Sequence, residues 1–204
     1  MADLASSFPT DPSFNAVGFQ ANTPTLATTT FSGKTRRTTY GHQFYEWEVK
    51  YPQLVDRQAG IVLGFLAQTY GPALSFEITL PEISYSKSNN PPSSTPATNG
   101  SVNAGVKQVD LTNCGANKEV LYVGDFFKFD NHSKVYQAVA TCTSDGSGNA
   151  TLYFAGSLVN AVPSGTDLTV TAVPFTAIAL SEAQQFDVGV GGMTTMSIKM
   201  REVW

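Results

Sequence analysis

The segment Gln43-Phe44-Tyr45-Glu46-Trp47-Glu48-Val49-Lys50 decides the fold. Tyr45, Trp47 and Val49 fall on one side of it, Glu46, Glu48 and Lys50 on the other. That period of two belongs to a strand with one face in a core and one in water. The pattern then changes. From Pro52 to Gln68, and on to Thr69, Leu54, Gln58, Ile61, Val62, Phe65, Leu66 and Thr69 recur at spacings of three and four, which predicts an amphipathic helix. Pro52 stands near its start and Gly71-Pro72 at its stop. Gly60 and Gly64 each weaken that helix by up to about 1 kcal/mol. Their small size predicts a helix lying close on a sheet. Alternation returns in Leu74, Phe76, Ile78 and Leu80, interleaved with Ser75, Glu77 and Thr79, and Pro81 ends it.

Working outward, Val17 and Phe19 alternate, and a Thr-rich run from Leu26 to Phe31 meets a Ser32-Gly33 turn before Lys34 to Tyr40. Residues 1–15 have neither period. They pair aromatics with prolines, as in Phe8-Pro9 and Asp11-Pro12 followed by Phe14. They read as an extended arm, either a frayed terminus or one that docks Phe8 and Phe14 on a neighbouring subunit. Downstream, residues 85–101 are rich in Ser, Asn, Pro and Thr and read as a linker. Residues 102–183 read as a small β lobe. In it, Val120–Val123 leads to a Gly124-Asp125 turn, Phe126–Phe129 and Lys134–Cys142 are strands, and Ser144-Asp145-Gly146-Ser147-Gly148-Asn149 is a hairpin turn from which Ala150–Phe154 pairs back. A further strand is read at Leu168–Val173. From Gln185 to Trp204 long alternation resumes, with Met196, Ile198 and Met200 opposite Ser197, Lys199 and Arg201. The expected fold is mainly β: a sandwich- or barrel-like core from residues 16–84 and 184–204, one packed α-helix, and the 102–183 lobe inserted between them.

Composition narrows the function. Charged residues are 14% of the 204, against roughly 25% in ordinary soluble domains. Serine and threonine, 18 and 23 residues, take their place. Low charge suits a chain that works packed against other chains. A net charge of −4 speaks against general nucleic-acid binding. No run of about 18 apolar residues predicts a membrane span, and Met1-Ala2-Asp3-Leu4 lacks the basic and apolar regions of a secretory signal. Cys114 and Cys142 are too few for a disulfide framework and read as free thiols, with a single bridge between them as the alternative.

The sequence carries no catalytic, cofactor or metal constellation that can be read from spacing. His42 and His132 are isolated, and no nucleophile motif is present. Glu46 and Glu48 stand about 7 Å apart on one strand face, a separation that glycoside hydrolysis can use, although alternating Glu is routine on a wet strand face. Lys34-Thr35-Arg36-Arg37 is the one basic cluster, suited to a subunit or phosphate contact or to a solvated strand face. Gly189, Gly191 and Gly192 lack the helix and Lys-Ser/Thr of a phosphate loop.

The order of these features resembles that of phage distal-tail and minor tail-tip proteins of the baseplate hub. The aromatic strand, the helix with Phe65-Leu66, and Leu74-Ser75-Phe76-Glu77-Ile78-Thr79-Leu80-Pro81 are similar to that family's core. Val123-Gly124-Asp125-Phe126-Phe127-Lys128-Phe129 followed by Lys134-Val135-Tyr136-Gln137-Ala138-Val139 is similar to its lobe hairpin. Asp145–Leu152, Pro163-Ser164-Gly165-Thr166 and the closing Ser197–Val203 complete the likeness across about residues 15–204. One departure is Phe175–Leu180, neutral where the family carries a basic or aromatic run. The resemblance implies a virion protein that forms a ring, usually of six copies, at the distal end of the tail tube. The core would build the ring and the lobe would project. Its partners would be its own copies, the tail tube protein, and hub, tip or fibre proteins. A closed ring needs two different patches per subunit. The candidates are Glu46 and Glu48 on the wet strand face, Phe8 and Phe14 on the arm, and Arg36 and Arg37 in the basic cluster. Two other readings stand beside it: a carbohydrate-binding adsorption module using Tyr122, Tyr136 and Tyr153, and an envelope glycan hydrolase using Glu46 or Glu48.

Overall fold

The computed structural model describes residues 7–39, 42–181, 186–189 and 191–204. The start of the arm, the end of the Lys34–Tyr40 strand and the 183/184 boundary of the lobe lie outside the described residues. The protein is mainly β, with a sandwich-like core and, among the described residues, a single α-helix.

In chain order the first elements are β1 (Ala16–Asn22), β2 (Thr25–Thr29), β3 (Thr35–Thr39), β4 (Phe44–Lys50), α1 (Asp56–Thr69) and β5 (Phe76–Ile78). The lobe contributes β6 (Ala97–Thr98), β7 (Gln108–Thr112), β8 (Glu119–Leu121), β9 (Phe126–Phe129), β10 (Val135–Gln137), β11 (Cys142–Thr143), β12 (Ala150–Tyr153) and β13 (Leu168–Thr169). The chain returns through β14 (Phe175–Ala179), β15 (Asp187–Val188), β16 (Thr194–Thr195) and β17 (Ser197–Glu202). The main sheet runs β1-β4-β17-β14-β5, antiparallel throughout. Register follows the hydrophobic pattern: Val17 and Ile198 flank Val49, and Phe19 and Met200 flank Trp47. A slip of one residue would turn all of these out of the core. The lobe leaves after β5 and returns at β14, and these two strands pair directly, Phe175 opposite Ile78.

Helix α1 covers one end of the apolar sheet face with Ala59, Val62, Phe65 and Leu66. It starts later than its periodicity suggests. Leu54 is bonded instead to Thr194, N to O in both directions, so its burial belongs to an extended segment. Ile61 is 49% exposed. Gly60 and Gly64 correct the expectation of a close helix–sheet approach. They face solvent, and a Cβ added to either meets nothing within 4 Å. The helix ends at Tyr70, in the left-handed region at φ 50°, with Gly71 at φ 67° after it.

The other end of the same sheet face is covered by the lobe. Alternation in β9 and β10 is split between two cores. Phe126 and Val135 pack with Tyr45, Trp47 and Phe175, while Phe127, Phe129 and Tyr136 fill the lobe's own core with Leu111, Leu121 and Leu152. The lobe therefore seals the sheet. Its turn at Asp145 forms as expected, the Asp145 carboxylate accepting from the Asn149 and Ser147 N–H groups. These bonds hold its pKa below the usual value. The strand that follows pairs back only at its end, where Phe154 bridges Ala138; along its length β12 pairs with β7, Leu152 opposite Val109. Residues of the polar 85–101 stretch are tied to the lobe. Ser86 and Lys87 bond the buried Asp125 carboxylate, Ser88 the Glu119 carbonyl, and β6 extends the β12-β7 sheet.

Candidate subunit-contact surfaces

The arm contacts its own chain. Phe8 is 4% exposed, stacked edge-on against Phe65 and beside Phe76 at centroid distances of 5.0 and 5.5 Å. Its N–H donates to the Glu77 carbonyl at 2.7 Å, next to a parallel bridge from Ser7 to Glu77. Phe14 packs on Tyr51. Phe8 thus serves the subunit's own core and edge strand, which corrects its reading as a docking group for a neighbour, while Phe14 stays half-buried.

The basic cluster lies on the hairpin β2–β3. All ten of its strand residues are exposed. Thr28 faces Arg36 and Ala27 faces Arg37, so the two guanidinium groups lie on opposite faces of the ribbon. The turn is closed by the Gly33 N–H to the Thr30 carbonyl, and by the Thr30 N–H and hydroxyl to the Lys34 carbonyl. Gly33, at φ 79°, takes the conformation that closure needs. Phe31 sits at the tip, fully exposed, and Leu26 is exposed along the ribbon. Threonine suits a strand without a core, but an isolated two-stranded hairpin is at best marginally stable in water.

Glu46 and Glu48 lie on the open face of the main sheet, half-buried. Arg201 stands opposite Glu46 and donates from Nε at 2.7 Å, and Asn22 Nδ2 donates to the other carboxylate oxygen at 2.9 Å. Glu48 is opposite Lys199 and 3.9 Å from Lys50. The face is a ladder of cross-strand charge pairs. Each is worth under about 1 kcal/mol in water.

The three lobe tyrosines separate. Tyr136 is 1% exposed. Its hydroxyl accepts from the Val159 N–H at 3.0 Å and lies 3.0 Å from His132 Nε2, and burial pushes its pKa up to about 12. It is a core residue, which corrects its reading as a surface contact. Tyr122 and Tyr153 are exposed. Val139 donates its N–H to the Tyr153 carbonyl, and Gly124 to that of Ala138. These bonds place Tyr122-Val123 beside Val139 and Tyr153, all four exposed. Cys114 and Cys142 are both free and buried, with burial pushing their thiols up to about 11 and about 12.

Sequence reasoning missed the most buried charge pair. Glu202 is 1% exposed and Lys134 3%. The Lys134 ammonium meets Glu202 Oε2, Oε1 accepts from the Val135 N–H at 2.9 Å, and Oε2 from the Tyr45 N–H at 3.3 Å. The ammonium also lies 4.5 Å from the Trp204 ring centre and 4.7 Å from that of Tyr45. Burial lowers the pKa of Lys134 and raises that of Glu202, each opposed by the other's charge. The pair joins lobe to core. Its signal was present: the alternation of Ile198 and Met200, carried two residues further, puts Glu202 inside.

No family model matches this chain, and no curated protein sequence is similar to it.

Proposed function

We propose that this chain is a structural virion protein of a phage tail. In this reading, copies of it, six in the family it resembles, form a ring at the distal end of the tail tube in the baseplate hub. The ring joins the tube protein to hub, tip or fibre proteins, and its role is structural rather than catalytic. The observation that carries the reading is the hairpin β2–β3, ten exposed strand residues with an exposed phenylalanine at the tip. A ribbon whose strand residues are all exposed in its own chain gains stability from a surface on another. The charge-paired open sheet face supports the same reading, since it offers a broad, nearly neutral wall. Negative-stain images of the purified protein test it: closed rings with a central opening are expected, and a field of single compact particles counts against it.

The exposed row Tyr122, Val123, Val139 and Tyr153 favours a second reading, in which the lobe is a carbohydrate-binding adsorption module. Binding of the full chain to envelope glycans, lost in a Tyr122→Ala/Tyr153→Ala variant, would establish it.

A further inference from the structure

We infer that the hairpin β2–β3 of one copy lies across the β5 edge of the next copy, with the basic side chain of its inward face, Arg36 or Arg37, against Glu77 and Glu82 and Phe31 in the cavity beside the arm. This contact rests on the ring reading above and names the surface that reading leaves open.

Topology supplies the first argument. β1 and β5 are the two ends of the main sheet. The hairpin grows directly from β1, separated from it only by Thr23-Pro24. Donor ribbon and β5 edge therefore stand at opposite ends of one rigid sheet. A contact between two different patches is heterologous, and it closes into a ring when the rotation per subunit closes.

Charge supplies the second. The hairpin carries Lys34, Arg36 and Arg37, and no Asp or Glu occurs anywhere from residue 12 to residue 45, so all 16 acidic residues lie elsewhere in the chain. At the β5 edge the Glu77 side chain is half exposed, its nearest cation the mostly buried Lys128 at 3.9 Å. Glu82 is exposed in the turn after β5, and Asp11 is exposed in the arm. The edge is acidic where the ribbon is basic.

Shape supplies the third. A cavity of about 280 Å³ opens at this edge, lined by Phe8, Pro9, Glu77, Thr79 and Pro174 among others. Apolar rings and a carboxylate share its wall. It has room for a phenyl ring, and Phe31 is the fully exposed aromatic at the end of the ribbon. The arm bridges the middle of the three-residue β5 at Glu77, so the contact proposed here is made by side chains and not by strand pairing.

A charge swap tests the contact. Two full-length variants are made, Arg36→Glu/Arg37→Glu and Glu77→Arg/Glu82→Arg, and sedimentation equilibrium is run at low ionic strength. Melting curves matching the parent show that both fold, as expected for exposed positions. Each variant alone is expected to lose self-association, because like charges then face each other. Mixed one to one, they are expected to regain it, since each ribbon again meets opposite charge. Phe31→Ser is expected to weaken association at every salt concentration, whereas added salt weakens the charge pairs by screening. Parent association that survives both reversals overturns this contact and leaves the ring reading standing. Variants that lose association and do not recover on mixing overturn the pairing of these two patches. A parent chain that stays monomeric up to about 1 mM, an affinity too weak to hold a ring, overturns the contact and the ring reading together.

Discussion

At the scale of single residues, Glu202 and Lys134 hold the junction of the two cores, yet the pair is a poor source of stability. Desolvating two charges costs several kcal/mol per ion, and their attraction offsets this only with good geometry. Glu202→Ala leaves Lys134 buried without its partner and is expected to cost about 3–5 kcal/mol, measured by urea denaturation. Replacing both at once, Lys134→Met/Glu202→Leu, is expected to be neutral or to stabilise by up to about 4 kcal/mol. His132 gives a pH signature. Its pKa is lowered by burial first, then by Lys128 and Lys134, from an ordinary 6.5. The unfolded chain thus binds the proton more readily, so stability rises with pH in that window. The stability is present above pH 6.5 and is lost as pH falls through the lowered value. Urea melts at about pH 7.5 and about pH 5 should show that loss, and His132→Phe should reduce it. At this scale the sequence was legible wherever one face of a strand is wet. It was not legible at Tyr136, because both faces of β9–β10 are buried and alternation cannot say which residues meet solvent.

At the scale of elements, period two identified β4 and β17 and period 3.6 identified α1, since each presents one apolar face to one core. What local pattern could not give was partnership. The Asp145 turn looks like a hairpin, but only Phe154 pairs back, on Ala138, and β12 itself pairs with β7, more than thirty residues upstream. Phe8 looked free for a neighbour and packs on Phe65 of its own helix. The glycines of α1 were assigned to the wrong face because a small residue reads alike on either side. Gly60→Ala and Gly64→Ala should each stabilise the isolated chain by roughly 0.5–1 kcal/mol, as each new methyl meets open space. Equilibrium denaturation checks this. Replacing residues 24–41 by a short Gly-Ser turn should leave the stability of the body within about 0.5 kcal/mol of the parent, because the ribbon's strand residues are exposed.

At the scale of the whole molecule, two hydrophobic cores share one pair of strands. Phe126 and Val135 serve the sheet, and Phe127, Phe129 and Tyr136 serve the lobe. The halves should therefore unfold together, with coincident transitions in tryptophan fluorescence and far-ultraviolet circular dichroism. Among the described residues the hairpin belongs to neither core, and in the proposed ring it packs on the next subunit. Light scattering behind a sizing column, run over a range of concentrations for the parent and the hairpin-replaced chain, tests this most directly. Six chains of 21.8 kDa should give a parent species near about 130 kDa, as a closed cyclic oligomer requires, and the hairpin-replaced chain should elute as a monomer. A parent that is monomeric at every concentration, or a hairpin-replaced chain that still assembles, would contradict the account.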